Sequence, residues 1–583
     1  MTTRLSTGVT DEERFRSVGI AVAIAVVATL LPFHRGLSFP FALDDYSFLY
    51  QVSGLEPSPF SLRRWLAVHG WYALLYRLFG PEPRAWHVGS FALHVANAVW
   101  VFALARRYGA SRPAGWIACG LFAASPLAFS VVYWAAGIQE VGSTFFVLAA
   151  AWIAGRTGRT RWLAVPLFAL AMLCKESVLL APLALAVLLG RRGRLLSAAM
   201  FAAGIAVFVA SGLHHRMLDS NLESPYATAY DSTLLVNLAT LWIWFLSPWR
   251  PYPDRLAAPQ PALVLPALAT AGALVVYLAF TRGRHARSLG LASLWFVVLL
   301  LPVLPLRQHT YAYYAYLSQA GFLVLAGAGL EKLARRGRPA SFAWLLGLGV
   351  VAVAASILCA ARTARTHETL TLPNNAVPHD SVVRYGRAAG ALVAAVRDAR
   401  LPAGVDRVVF MSLPQQLGKA AQTPGEKRPG MVRVRRYPVR ESYRDGKLMA
   451  LYYPRLRSAW VDSLSSADEG QDTALFFSSG FADLTRLPGA ADGLYLQAQG
   501  RYMVEEREAA QRDLERALQL SPDHPAARLL LAVLKLEASD RPGARALIRD
   551  LQTATVPAEL RDLLRQIQSA VGLAADTTRA APR

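Results

Sequence analysis

Two neighbouring carboxylates, Asp44 and Asp45, stand in the first polar loop of a chain that is otherwise poor in acid. Glu140, the pair Lys175-Glu176, and Arg307 with His309 follow in later turns, and His87 opens an apolar stretch. These groups sit at the ends of long apolar runs. Charged side chains at such depth are costly and face a cavity or a partner. Their types suit group transfer from a charged donor. A carboxylate can take the proton of an acceptor hydroxyl, and an ammonium or guanidinium can stabilise a departing phosphate. On this reading Asp44, Asp45 and Glu140 are the catalytic acids, with Asp44 or Asp45 as the general base. Lys175 stabilises the leaving phosphate with help from Arg307 or His309. Glu140 and Glu176 orient those cations, and Glu140 could instead hold a divalent ion if one is used. His87 is a supporting residue. Each has an ordinary alternative. The two aspartates could cap a loop, Lys175-Glu176 could solvate a helical tip, and Arg307 and His309 could lie at the interface. His87 and His94, seven apart on one helical face, could serve packing. His214-His215 lack a third ligand, which zinc would need.

Elements that hold such residues at one level must cross a membrane. Of the 583 residues 54% are hydrophobic, and they cluster in runs near the roughly twenty residues that span a bilayer core. Backbone groups in lipid must pair within their own segment, which makes the spans helical. The net charge of +22 invites a nucleic-acid partner, but many arginines lie in short turns between apolar runs, where they orient a membrane protein. There is no zinc-finger spacing and no basic stripe interleaved with aromatics, so no nucleic acid is expected. Cys119, Cys174 and Cys359 fall in apolar segments without ligand spacing and read as buried free thiols. The first apolar run is followed by Pro-Phe-His-Arg rather than a small-residue cleavage site, which reads as a retained span.

Along the chain, residues 1–16 read as a cytoplasmic N-terminus and residues 17–360 as a transmembrane catalytic domain. The first outer loop continues from Ser58 to Phe79 with apolar and basic residues at helical spacing, as in an interfacial helix. The stretch Trp162 to Gly190 is too long for one span and short for two. It reads as two short helices with Lys175-Glu176 at the outer tip. His214 to Pro259 reads as a second long outer loop, and Phe342 to Ala360 as the last span. About eleven spans result, with every short Arg-rich turn on one side. Residues 361–490 then read as a soluble α/β segment, with strands at Asp406–Ser412 and Thr473–Ser478 and a helix at Ser381–Arg400. Residues 491–569 resemble tetratricopeptide repeats. They are too few to stand alone, so they pack on the α/β part or on a partner. The tail, residues 570–583, reads as disordered.

Four segments carry a further resemblance. They are Asp44-Asp45-Tyr46; Trp86-His87 through His94-Val-Ala-Asn97; Ser125-Pro126 through Trp134-Ala-Ala-Gly-Ile-Gln139-Glu140, followed by Lys175-Glu176; and His309 through Tyr316-Leu-Ser318-Gln-Ala-Gly321-Phe322. In order and spacing they resemble the GT-C glycosyltransferases, in particular the tetratricopeptide-containing transmembrane O-mannosyltransferases and their bacterial relatives. The resemblance covers roughly residues 17 to 330. It implies a polyprenyl-phosphate sugar donor, inversion at the sugar, and a catalytic Asp in the first outer loop, which maps to Asp44 or Asp45. Glu140 matches the second acidic position. Gln139-Glu140 and Gln308-His309 depart from the family's usual sequences, so donor headgroup and acceptor can differ.

The expectation is therefore a polytopic α-helical membrane glycosyltransferase with a C-terminal α/β plus repeat domain. It sits in the bacterial inner membrane with that domain in the periplasm. Its partners are a lipid-linked sugar donor, membrane lipid and a protein or glycan acceptor. The alternatives are a non-catalytic membrane scaffold or assembly factor and a lipid-linked-sugar transporter. A transporter would more naturally carry ionisable residues at mid-membrane in broken helices.

Overall fold

The computed structural model describes residues 11–58, 60–212, 227–246, 284–307, 309–334, 339–372, 377–412, 438–551 and 556–573. His214-His215, Gln308, residues 247–283 and most of the tail lie outside them. The chain divides into two compact units, 1–386 and 387–583.

The first unit is helical. It runs through α1 (Asp11–Phe33), α2 (Asp44–Ser53), α3 (Ala73–Phe79), α4 (Pro83–Arg107), α5 (Arg112–Ala123), α6 (Phe129–Tyr133), α7 (Ile138–Ala154), α8 (Ala164–Cys174), α9 (Ala181–Leu189) and α10 (Arg194–Ala210). It continues with α11 (Thr233–Leu246), α12 (Arg284–Leu300), α13 (Tyr316–Ala334), α14 (Pro339–Thr369) and α15 (Ser381–Asp398), within which the division into units falls. Among the described residues four helices are long and apolar enough to cross a membrane: Asp11–Ser38, Pro83–Arg107, Ala135–Ala154 and Ala343–Thr369. A fifth is counted if α5 and the segment Pro126–Tyr133, bent by 44°, are one span. Such helices are those of an integral membrane protein. Shorter apolar helices, among them Arg194–Ala210 and Leu291–Leu300, accompany them.

Local sequence explains the boundaries. Pro83 opens α4 in the first turn, where its missing N–H costs nothing, and the Glu82 side chain caps it. Ser111 caps α5. Ser125 is held extended before Pro126, as a residue preceding proline must be, and this breaks the third apolar run. Lys175 is extended (φ −158°, ψ 135°) and separates α8 from a short 3-10 segment and α9. Ala21, Ala25 and Ala28 are fully or almost fully buried on α1. These small side chains form the face on which α4, α5 and α14 approach it. On α14, Trp344, Leu348, Val351 and Leu358 are exposed, as befits a lipid-facing side.

One expectation needs correction. The stretch from His214 to Pro259 is not all loop: Thr233–Leu246 forms the apolar α11. Its Leu241 and Trp244 are buried with Phe296 and Leu300 of α12, and Trp242 stacks on Phe296 at 4.3 Å. Fourteen residues rich in Leu, Trp and Phe bury more favourably as a packed helix than as an exposed loop.

The second unit holds a four-stranded sheet of order β2-β1-β3-β4, with β1 Arg407–Ser412, β2 Arg457–Val461, β3 Thr473–Gly480 and β4 Asp483–Arg486. β1 lies parallel to β2 and β3, with Arg407 opposite Arg457 and Thr473, and β4 returns antiparallel. Five helices follow: α18 (Ala490–Met503), α19 (Arg507–Leu520), α20 (Pro525–Glu537), α21 (Arg541–Ile548) and α22 (Arg561–Ala570); α16 (Pro438–Tyr443) and α17 (Lys447–Tyr452) precede β2. Val409, Met411, Leu475 and Phe477 of the sheet share one core with Leu494, Ala498, Leu514 and Leu531 of the helices. Gln497 stitches the two, accepting the Leu464 N–H at 2.7 Å and donating to Asp513 at 2.9 Å. The short repeat array buries its apolar face on the α/β part, which answers why so few repeats suffice.

Candidate active site

The aspartate pair starts α2, and the fold treats its two members differently. Asp45 is fully buried. Its Oδ2 accepts the Ala42 N–H at 2.8 Å, and its Oδ1 accepts the Tyr72 hydroxyl at 2.8 Å and the Ala136 N–H at 2.6 Å. Burial pushes its carboxyl up to about 7 against the pull of these three donors, and the neighbouring Asp44 adds to the rise. The Trp134 indole N–H donates to the Ala42 carbonyl at 3.1 Å, so the aspartate loop and the Trp134-Ala-Ala-Gly turn are laced together. Gly137 is required in that turn. A Cβ there would lie 2.6 Å from the Val131 carbonyl oxygen and 2.7 Å from Val131 Cα. Asp44, by contrast, is exposed and lines a cavity of about 600 Å³. It makes no hydrogen bond or ion pair among the described residues.

The same cavity is lined by Arg64, Gln139, Glu140, Lys175 and His309. Lys175 and Glu140 are both buried and form an ion pair. The Lys175 ammonium also faces the rings of Tyr313 and Tyr314, 4.8 and 5.3 Å from their centroids, close enough for attraction to the π faces. Glu176 is held by Arg64 through two hydrogen bonds of 3.1 and 2.9 Å and lies 3.5 Å from Arg63. This two-pronged geometry fixes the Arg64 guanidinium. Gln139 is 3% exposed and its side-chain oxygen has no hydrogen-bond partner among the described residues. Burial holds the His309 imidazole low, at about 4, and the charges of Lys175 and Arg64 add to the effect. At neutral pH His309 therefore offers hydrogen bonds and no charge. Asn237 positions its loop, donating to the Leu304 and Leu306 carbonyls at 2.7 and 2.9 Å and accepting from the Thr310 hydroxyl at 2.9 Å.

Two expected members lie elsewhere. Arg307 is exposed and does not line the cavity, because its backbone N–H pairs with the Ala227 carbonyl at 2.9 Å beside the Thr228–Leu306 bridge. His87 is fully buried against the Val132 carbonyl at 3.3 Å, the packing alternative. Its helix neighbour His94 donates from Nε2 to the Ala123 carbonyl at 3.0 Å, so its Nδ1 accepts the Tyr316 hydroxyl at 2.6 Å. Asn97 donates to the Val141 carbonyl and to the same tyrosine. The second and fourth sequence motifs thus lock α4 to α5, α7 and α13. Tyr316→Phe should lower stability by about 1–3 kcal/mol, since it strands His94 without its donor. Denaturant unfolding in detergent checks this, and an unchanged midpoint would contradict it.

Sequence reading missed Arg64. Its one signal was position: Arg63-Arg64 fall in the expected first outer loop, against the usual placement of arginines in the cytoplasmic turns. No three His, Cys, Asp or Glu side chains among the described residues are grouped to hold a metal ion. The Glu140 carboxylate is taken by the Lys175 ammonium.

Residues 504–567 match the tetratricopeptide repeat family model. No curated protein matches the sequence. Among solved structures the chain is similar to the crystal structure of ArnT from Cupriavidus metallidurans bound to undecaprenyl phosphate. The similarity is at 12% identity and a TM-score of 0.38, over 80% of this chain and 93% of that one.

Proposed function

We propose that this chain is a GT-C-type integral membrane glycosyltransferase that moves a monosaccharide from a polyprenyl-phosphate donor to an acceptor on the outer, periplasmic side, with inversion. The observation that carries the reading is one cavity, lined both by an unpartnered carboxylate, Asp44, and by the cations Lys175 and Arg64. The motifs that resemble the GT-C family supply its walls. Asp44 is the general base. It removes the proton of the acceptor hydroxyl as the oxygen attacks the anomeric carbon. The bond from that carbon to the phosphate oxygen breaks with its electron pair, and Lys175 and Arg64 balance the charge gathering on the lipid phosphate. Fixed cations in a low-dielectric site lower this barrier more than solvated ones do. Glu140 and Glu176 hold the two cations in place, and Asp45 is the keystone of the loop that presents Asp44. The arginine-rich turns face the cytoplasm of a bacterial inner membrane, which puts the cavity and the second unit in the periplasm.

The test is turnover by purified full-length chain in detergent. Tritiated polyprenyl-phosphate hexose and pentose serve as donors, and binding of undecaprenyl phosphate is followed separately. Saturable binding and release of the sugar from the lipid are expected. Intact protein that does neither would favour the scaffold alternative.

A further inference from the structure

The cavity has a second polar wall that the chemistry above leaves unused. Thr363 and His367 are four residues apart on α14, so they share one helix face, and both line the cavity together with Asp380 from the turn before α15. His367 Nδ1 lies 2.8 Å from Asp380 Oδ2. A carboxylate only accepts hydrogen bonds, so Nδ1 carries the hydrogen, and in the neutral ring Nε2 is a bare acceptor. The ring is well held. Phe129 stacks on it at 4.4 Å and 18°, and the Val383 N–H fixes Asp380 at 3.0 Å. The next residue on α14, Glu368, is anchored by the Tyr133 hydroxyl at 2.8 Å and by Arg35 at 2.9 Å. His367 Nε2 has no hydrogen-bond partner among the described residues. Nor has the Thr363 hydroxyl, although Thr363 is only 5% exposed. A buried hydroxyl without a partner is costly. Its place beside an oriented imidazole, on a cavity wall, is that of a group awaiting a ligand.

We infer that the wall formed by Thr363, His367 and Asp380 binds the acceptor substrate, which presents to His367 Nε2 a hydroxyl other than the one that attacks the sugar, and a second polar group to Thr363. The inference rests on the glycosyl-transfer reading and names the acceptor's chemistry. Against the neutral ring an anionic acceptor group would meet a nitrogen with no hydrogen to give, and the Asp380 carboxylate lies behind it. A hydroxyl other than the attacking one can donate its hydrogen to Nε2, which leaves the attacking hydroxyl's proton to Asp44. His367 and Asp380 are positioning residues here, with the base on the other wall.

The test combines purified chain, tritiated polyprenyl-phosphate hexose or pentose, whichever the wild type uses, and acceptor membranes from source cells lacking this protein. Transfer is measured over a range of membrane concentrations, and undecaprenyl phosphate binding in parallel, for H367N, D380N and T363V. Each variant is expected to need about tenfold more acceptor for half-maximal transfer, the worth of one lost hydrogen bond. Affinity for undecaprenyl phosphate should stay within about twofold. T363V keeps the test sound if H367N folds poorly, because it removes a hydroxyl that no protein group uses. Variants with wild-type acceptor dependence would overturn the inference. So would variants whose loss is not relieved by more acceptor and is matched by weaker undecaprenyl phosphate binding. Wild-type protein that neither binds the lipid nor transfers sugar defeats the glycosyl-transfer reading itself, and the inference with it.

Discussion

Asp44→Asn is expected to lower sugar transfer by about a hundredfold or more, the usual loss when a general base is removed, with the unfolding midpoint close to that of the wild type. The exposed Asp44 carboxylate has no partner among the described residues, so its replacement disturbs no packing. Asp45→Asn should behave in the opposite way. Both Asp45 oxygens already accept from donors, Ala42 and Tyr72 among them, so an amide must turn its NH2 toward one of them. The expected cost is about 2–4 kcal/mol, read as a lower unfolding midpoint, with whatever protein stays folded still binding undecaprenyl phosphate. The pair of variants is informative together. If Asp45→Asn is stable and inactive while Asp44→Asn turns over normally, the base has been assigned to the wrong aspartate.

How far these roles could be read from the chain depends on what fixes them. The aspartate pair, Glu140 and Lys175 were legible because charge at the edge of an apolar run has few places to go. The structure adds that Asp44, Glu140 and Lys175 line one cavity, while Asp45 is buried beside it. Which of Asp44 and Asp45 stays exposed was not legible. It turns on which side chain meets Tyr72 and the Ala136 N–H, contacts made 27 and 91 residues away in the chain. Arg307 failed for a similar reason. Only the backbone pairing of its loop with Ala227 takes it from the cavity, and no local pattern announces that pairing. The strands at Arg407 and Thr473 were legible from continuous apolar runs, since a parallel sheet covered on both faces needs them. The apolar helix Thr233–Leu246 was hidden because its run is shorter than a bilayer and was read with its polar flanks. The His367–Asp380 pair was hidden because the last apolar run was expected to end at Ala360, whereas its helix continues to Thr369 and carries His367 to the cavity wall.

Lys175→Met is expected to reduce transfer by about a hundredfold or more and to destabilise the fold at the same time, so it cannot be interpreted alone. The ammonium sits in a buried pair with Glu140. Removing it leaves a carboxylate desolvated beside Glu176, a situation that costs about 3–5 kcal/mol when one partner of a buried pair is lost. Glu140→Gln in the same chain removes the stranded charge. The double variant should recover most of the stability, since replacing both members of a buried pair is often near neutral. It should not recover transfer, because the departing phosphate then has one of its two cations, Arg64, which Glu176 holds in place. Unfolding midpoints and transfer rates for Lys175→Met, Glu140→Gln and the pair make the cycle. Stability and transfer returning together in the double variant would mean that Lys175 serves the fold, with leaving-phosphate stabilisation falling to Arg64. Stability returning without transfer separates the two roles and leaves the ammonium at the chemistry.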